Sequence, residues 1–201
     1  MSNQLDTVWD LTPHTLAKHK ILKAYFGAWL SIVGQKFPQV IFVDGFCGPG
    51  QYQGGEPGSP IVVIEEAKKA LETRRGTIRQ NLRIEFYFID IDTNRIANLV
   101  ARLSQTAVSD TRIKIQDPIV GSFEEKIQPV LSILESRQSN YIPFLVFIDP
   151  FGVKGFSLKT IRRILGLGGA EVFLLLDVDG VDRLLMSWDE PCRKILREAS
   201  G

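Results

Sequence analysis

Four apolar stretches of this sequence run directly into aspartate. QVIFV leads to Asp44, RIEFYFI to Asp90 and Asp92, FLVFI to Asp149, and EVFLLL to Asp177 and Asp179. A carboxylate at the tip of a buried strand can attract a cation, accept the hydroxyls of a sugar, or orient an N–H donor. Aspartate also caps helices and populates loops, and Asp92, Asp177 and Asp179 taken singly fit that plainer role.

The first tip opens the loop DGFCGPG, residues 44–50. Gly48 and Gly50 permit positive φ and close backbone approach, and Pro49 stiffens the turn between them. The loop lacks lysine and a GK[ST] sequence, which argues against a triphosphate, and its spacing is not GxGxxG. Asp44 can instead attract a cation, and S-adenosylmethionine carries two, an α-ammonium and a sulfonium. Cys47 sits in the loop without a paired His or Cys, so it is not expected to be a nucleophile.

The second tip places Asp90 where a carboxylate accepts both hydroxyls of a ribose, while Asp92-Thr93-Asn94 reads as a helix cap. The fourth tip, Asp149-Pro150-Phe151-Gly152, bears on reaction class. An exocyclic amino group on a base is a poor nucleophile because its lone pair is delocalised into the ring. A carboxylate and a proline carbonyl that accept its two N–H groups favour pyramidal nitrogen and free that pair. Proline has no N–H to compete, and Phe151 is placed to stack on a base. A simple turn after a buried strand would use the same four residues.

The elements that position these tips read as an alternation. Thr12-Pro13 starts a helix whose stripe Leu16, His19, Leu22, Phe26, Trp29, Leu30 and Val33 runs to Gly34. Strands are expected at Val40–Val43, Leu82–Ile89, Arg112–Ile115, Phe144–Ile148 and Glu171–Leu176. Helices are expected at Pro60–Arg75, Asn94–Leu103, Glu124–Arg137 and Leu158–Leu165, with a short one at Val181–Met186. Five strands separated by helices imply right-handed crossovers and a parallel sheet covered on both faces, with the ligand site at the carboxyl ends of the strands.

Composition supports a single α/β domain over residues 1–201. The chain is 44% hydrophobic and 23% charged, and 24 Lys and Arg nearly balance 23 Asp and Glu. A nucleic-acid partner would therefore need a local basic patch. Arg74, Arg75 and Arg79 cluster but read better as a solvated helix end. Cys47 and Cys192 form neither a disulfide framework nor a metal pattern, which fits a reducing cytoplasm. No apolar run is long enough to span a membrane, and the polar N-terminus is unlike a signal peptide.

Taken together, Trp9, KHKILKAYFGAW, VDGFCGPGQYQGGEPGSP, FIDID and IDPFG resemble the three-Cys-motif partner proteins, within the class I S-adenosylmethionine-dependent methyltransferases. The sequence is also similar to the J-type ribosomal RNA adenine methyltransferases, and DPFG resembles the motif of tRNA guanine-N2 dimethyltransferases. The resemblance implies a Rossmann-like, three-layer αβα methyltransferase sheet with an extra N-terminal helix. A complete fold of that class has seven strands, so the expectation is a C-terminally shortened chain lacking the last ones.

The implied cofactor is S-adenosyl-L-methionine. Its contacts would come from His19 on the first helix, from Asp44, Gly45, Phe46, Gly48 and Gly50 of the loop, and from Ser59 beyond it. Asp90 and Ile91 would follow on the second tip, and Gly121 and Ser122 after the third strand. Asp149, Pro150 and Phe151 would form the catalytic motif. Two departures stand out: Phe151-Gly152 replaces proline and an aromatic, and Gly121-Ser122 replaces Asp-Gly. The implied substrate is RNA or DNA, with the target base left open. The family name also implies a three-Cys-motif protein as partner, which keeps a regulatory, non-catalytic role in play. A nucleotide-dependent oxidoreductase is the third reading, disfavoured by the missing GxGxxG and by DPFG.

Overall fold

The computed structural model describes residues 8–73, 77–136, 141–150 and 155–176. The first helix, α1 (Pro13–Lys36), starts as expected. Thr12 is its N-cap and accepts from the Thr15 N–H at 3.2 Å, with Pro13 in the first turn. It runs past Gly34 and stops where Phe37 turns extended ahead of Pro38, because a residue before proline is pushed out of the helical region. Gly34 is a packing residue: a Cβ there would sit 2.9 Å from Leu82 Cδ2. Leu22, Phe26, Trp29 and Leu30 are buried, whereas Leu16 is exposed.

The remaining order is β1 (Gln39–Asp44), α2 (Ser59–Thr73), β2 (Arg83–Asp90), α3 (Thr93–Gln105), β3 (Ile113–Ile115), β4 (Ile119–Val120), α4 (Phe123–Ser136), β5 (Phe144–Ile148), α5 (Leu158–Gly166) and β6 (Ala170–Leu174). Asp92 caps α3 as expected, accepting from the N–H groups of Asn94 and Arg95. β4 was not foreseen, since two residues carry no periodicity. β6 begins one residue before the expected strand and ends two before it. The proposed Val181–Met186 helix, with Asp177, Asp179 and Cys192, lies outside the described residues, as do Arg74 and Arg75. Arg79 reaches back to the end of α1, its backbone N–H donating to the Gly34 carbonyl.

The sheet order is β3-β2-β1-β5-β6, with β4 pairing β2 beyond the end of β3, and every pairing among these strands is parallel. Side chains alternate across it. On β1, Val40 and Phe42 join a core with Leu22 and Phe26 of α1, Ile64 and Leu71 of α2 and Leu99 of α3. Ile41 and Val43 face Ile127 and Leu131 of α4 and Ile164 of α5. A central strand whose two faces are both buried must be apolar throughout, which explains its unbroken run. The result is a three-layer α/β arrangement compatible with a Rossmann-like fold.

Pro129 lies inside α4, where its missing N–H leaves the carbonyl of Glu125 without a helical partner; both residues are exposed, so water can serve it. Among the described residues no helix is long and apolar enough to cross a membrane.

Candidate functional site

The strand order reverses at β1, with β2 on one side and β5 on the other. Such a switch point opens a crevice beyond the carboxyl ends of its two strands. Asp44 ends β1 and Asp149 follows β5, so two of the four acidic tips meet here. The strands are held together to their ends by the Gly45 N–H donating to the Phe147 carbonyl at 3.0 Å.

The loop after β1 folds back on itself. Gly48 and Gly50 take φ of +62° and +77°. A bridge between Gln51 and Pro57 closes a short return, and the Gly58 N–H donates to the Gly50 carbonyl at 2.9 Å. That return brings Ser59, at the start of α2, underneath the loop. Its hydroxyl donates to Asp44 Oδ2 at 2.6 Å, while the Phe46 N–H donates to Asp44 Oδ1 at 3.1 Å.

Asp44 is fully buried, and burial pushes its carboxyl up to about 7 despite these two donors, with the Asp149 and Asp90 carboxylates pushing the same way. Burial likewise raises Cys47 well above the usual thiol range, followed by the Asp44 and Asp90 charges. A thiol so held is a poor nucleophile, in line with the sequence reading.

Helix α1 lies across the crevice. Lys18 Nζ donates to Asp149 Oδ1 at 2.6 Å, across 131 residues of sequence. Burial raises the Asp149 carboxyl, and Lys18 pulls it back, with a smaller contribution from His14. One residue along, the His19 ring lies 5.5 Å from that of Tyr52, with Nε2 and the Tyr52 hydroxyl 3.3 Å apart. Burial, then the Lys18 charge, lowers His19 and favours its neutral form. Neither Lys18 nor Tyr52 was singled out as a site residue from sequence, and only the adjacency of Lys18 to His19 hinted at the first.

One cavity gathers much of the expected set. It is lined by His19, Phe46, Gly48, Gly50, Ser59, Asp149 and Pro150, together with Lys18, Tyr52 and Trp9. Asp44 and Gly45 are not part of the lining; Asp44 sits behind Ser59 and Phe46 and acts on the cavity through them. Phe151 and Gly152 lie outside the described residues.

A second group forms at the tip of β2 and does not line that cavity. β4 pairs with the end of β2, and the Gly121 N–H donates to the Asp90 carbonyl at 2.9 Å, which sets Gly121-Ser122 beside Asp90. Ser122 precedes α4 and receives the Lys126 N–H on its carbonyl. Ile91 is 71% exposed at the same edge.

The Asp90 carboxylate is engaged on both oxygens. Oδ2 accepts the Gly48 N–H at 2.9 Å, Oδ1 accepts the Asp92 N–H at 2.9 Å, and Arg95 Nη1 stands 3.6 Å away. Asp90 therefore clamps the glycine loop onto the neighbouring strand tip, a role its sequence position did not announce. Arg95 in turn lies over the Trp9 indole, 4.9 Å from the ring centre. Among the described residues no group of His, Cys, Asp and Glu is placed to hold a metal ion. No protein-family model matches the sequence and no curated protein matches it either, so the family likeness rests on the quoted motifs alone.

Proposed function

We propose that this protein is an S-adenosylmethionine-dependent methyltransferase acting on an exocyclic amino group, with a nucleic-acid base as the substrate class. The observation that carries the reading is the Lys18–Asp149 pair at the switch point. It places a carboxylate, followed by a proline, in the same cavity as the glycine loop and Ser59.

The residues fit the cofactor's charge. Buried Asp44 behind Ser59 gives a site that favours a cationic amino-acid group, and Asp149 is left for the methyl acceptor. Asp90 retains lone pairs for a ribose diol beyond the two backbone N–H groups it accepts. When bound, the cofactor supplies an electrophilic methyl group. Asp149 accepts one N–H of the incoming amine and the Pro150 carbonyl accepts the other, which aligns the nitrogen lone pair for attack. Attack would form the C–N bond as the methyl–sulfonium bond breaks, leaving a neutral thioether, and one proton of the resulting ammonium would pass to Asp149 or to water. Burial raises the Asp149 carboxyl and makes it a better proton acceptor than an ordinary carboxylate, and Lys18 opposes that shift.

The second reading is a partner protein that keeps the fold and works through another protein. It is favoured by one observation: Asp149 already has an oxygen occupied by Lys18. Methyl transfer from labelled cofactor into RNA and DNA, compared between wild type and Asp149→Ala, separates the two. Transfer that falls in the variant supports catalysis. Equal transfer by both removes Asp149 from the reaction, and no transfer despite cofactor binding favours the partner role.

A further inference from the structure

The two halves of the expected cofactor site do not share one cavity. The cavity that holds Lys18, His19, Ser59 and Asp149 is only about 80 Å³. Pockets that take a drug-sized ligand usually span about 300–1,000 Å³. Trp9 forms one of its walls. Asp90, Ile91, Gly121 and Ser122 lie outside it, at the tip of β2.

The boundary is built from three layers. The Asp90 carboxylate is faced by the Arg95 guanidinium, with Nη1 3.6 Å from Oδ1, and the guanidinium is covered by the Trp9 indole at 4.9 Å. The tip of that indole lies above the glycine loop, since a Cβ on Gly48 would meet Trp9 Cη2 first, at 4.0 Å. Trp9 also meets Tyr52 edge-on at 6.3 Å. Its backbone is pinned by Gln53, whose N–H donates to the Trp9 carbonyl at 3.1 Å and whose Nε2 donates to the Val8 carbonyl at 3.0 Å.

Trp9 precedes α1; its ring meets Tyr52 edge-on and covers Arg95, and its carbonyl accepts from the Gln53 N–H. Arg95 is in the first turn of α3, and it meets Asp90 through its side-chain head. The sheet and the loop can therefore stay fixed while this pair moves.

We infer that Trp9 and Arg95 form a gate across the cofactor site, and that a nucleoside ligand gains access when its ribose takes the place of Arg95 on Asp90. The inference rests on the cofactor reading above and adds the step that controls access to it. With the gate closed, only the fraction of molecules that have released Arg95 can bind, which lowers the apparent affinity by that fraction. Removing either layer frees the other, so the two residues act as a unit.

The test is stopped-flow binding of S-adenosylhomocysteine to the full chain, with its dissociation constant measured by calorimetry. Wild type is compared with Trp9→Ala, Arg95→Met and the double variant, and with Gln53→Ala, which loosens the Trp9 segment from a position outside the cavity. Association about tenfold faster in each single variant, no faster in the double variant, and increased by a smaller factor in Gln53→Ala is the expected result. In wild type, binding should also change tryptophan fluorescence, and Trp9→Phe should remove that change. Variants that bind at the wild-type rate, or more weakly, overturn the gate while leaving the cofactor reading in place. Absence of binding to every protein, the double variant included, overturns both.

Discussion

Lys18 Nζ sits 2.6 Å from Asp149 Oδ1, joining the first helix to the tip of the fifth strand. Both side chains are about one-quarter exposed, 26% and 23%, so the pair is reachable yet only partly screened. Lys18 opposes the effect of burial on Asp149. Removing the amine therefore lets the carboxyl rise further. In a methyl-transfer assay, Asp149→Asn should lower kcat by about 10²–10³-fold, the usual loss for a positioned polar group at a reacting centre. Lys18→Met should move the acid limb of the pH–rate profile to higher pH, and Lys18→Arg should restore it. An unmoved limb in Lys18→Met would show that Lys18 does not oppose the upward shift of Asp149.

Asp44 makes stability depend on pH. Its folded carboxyl lies at about 7 against an ordinary value of 3.8, so the folded state binds its proton more tightly than the unfolded chain. The favourable contribution is fully present below about 3.8 and is lost as pH rises through about 7. The gap is worth on the order of 4 kcal/mol at about 1.4 kcal/mol per pH unit. Asp149 is shifted in the same direction and adds to the trend. Urea denaturation at pH 5.5 and pH 8 should show wild type losing stability at the higher pH, and Asp44→Asn losing much less. Equal losses in the two proteins would refute the assignment.

Gly50 and Gly55 offer a matched pair. Both have positive φ, +77° and +87°, where an L side chain costs about 1–2 kcal/mol. A Cβ on Gly55 meets nothing within 4 Å, whereas one on Gly50 falls 2.7 Å from Leu99 Cδ1. Gly55→Ala should cost the conformational amount alone. Gly50→Ala should cost more, because α3 must yield, and should also weaken S-adenosylhomocysteine binding. Denaturation midpoints and calorimetry check both; equal destabilisation would mean that the loop does not bear on α3.

Glu124 at the start of α4 accepts from the Ser157 N–H, from the Ser157 hydroxyl and from the Thr160 hydroxyl at the start of α5. Glu124→Ala leaves these part-buried donors without their carboxylate, which should cost about 1–3 kcal/mol. The residue is not part of the cavity lining, so ligand affinity should stay at the wild-type value. A variant as stable as wild type would show that the donors find water instead.

Local chemistry was legible in the sequence wherever neighbours along the chain decide it. Phe144–Ile148 matched the observed strand end to end, because a continuous apolar run has one stable use inside a sheet covered on both faces. Thr12 and Asp92 capped the helices they were expected to cap, since an N-cap needs only its own side chain and the next turn of backbone. The acidic strand tips were visible for the same reason. They follow from a buried strand having to reach solvent.

What only the tertiary structure decided is which tips meet. The reversal of strand order at β1 sets Asp44 beside Asp149, and the path of α1 across the crevice sets Lys18 on Asp149. It is the two-residue β4 that brings Gly121 to Asp90, and the segment before α1 that lays Trp9 over Arg95. Each of these contacts joins residues far apart in sequence, and none leaves a periodic signal. They exist because closing a parallel sheet fixes the positions of loops that share no local interaction. The residue types set what the site can do, and the strand order set which of them can do it together.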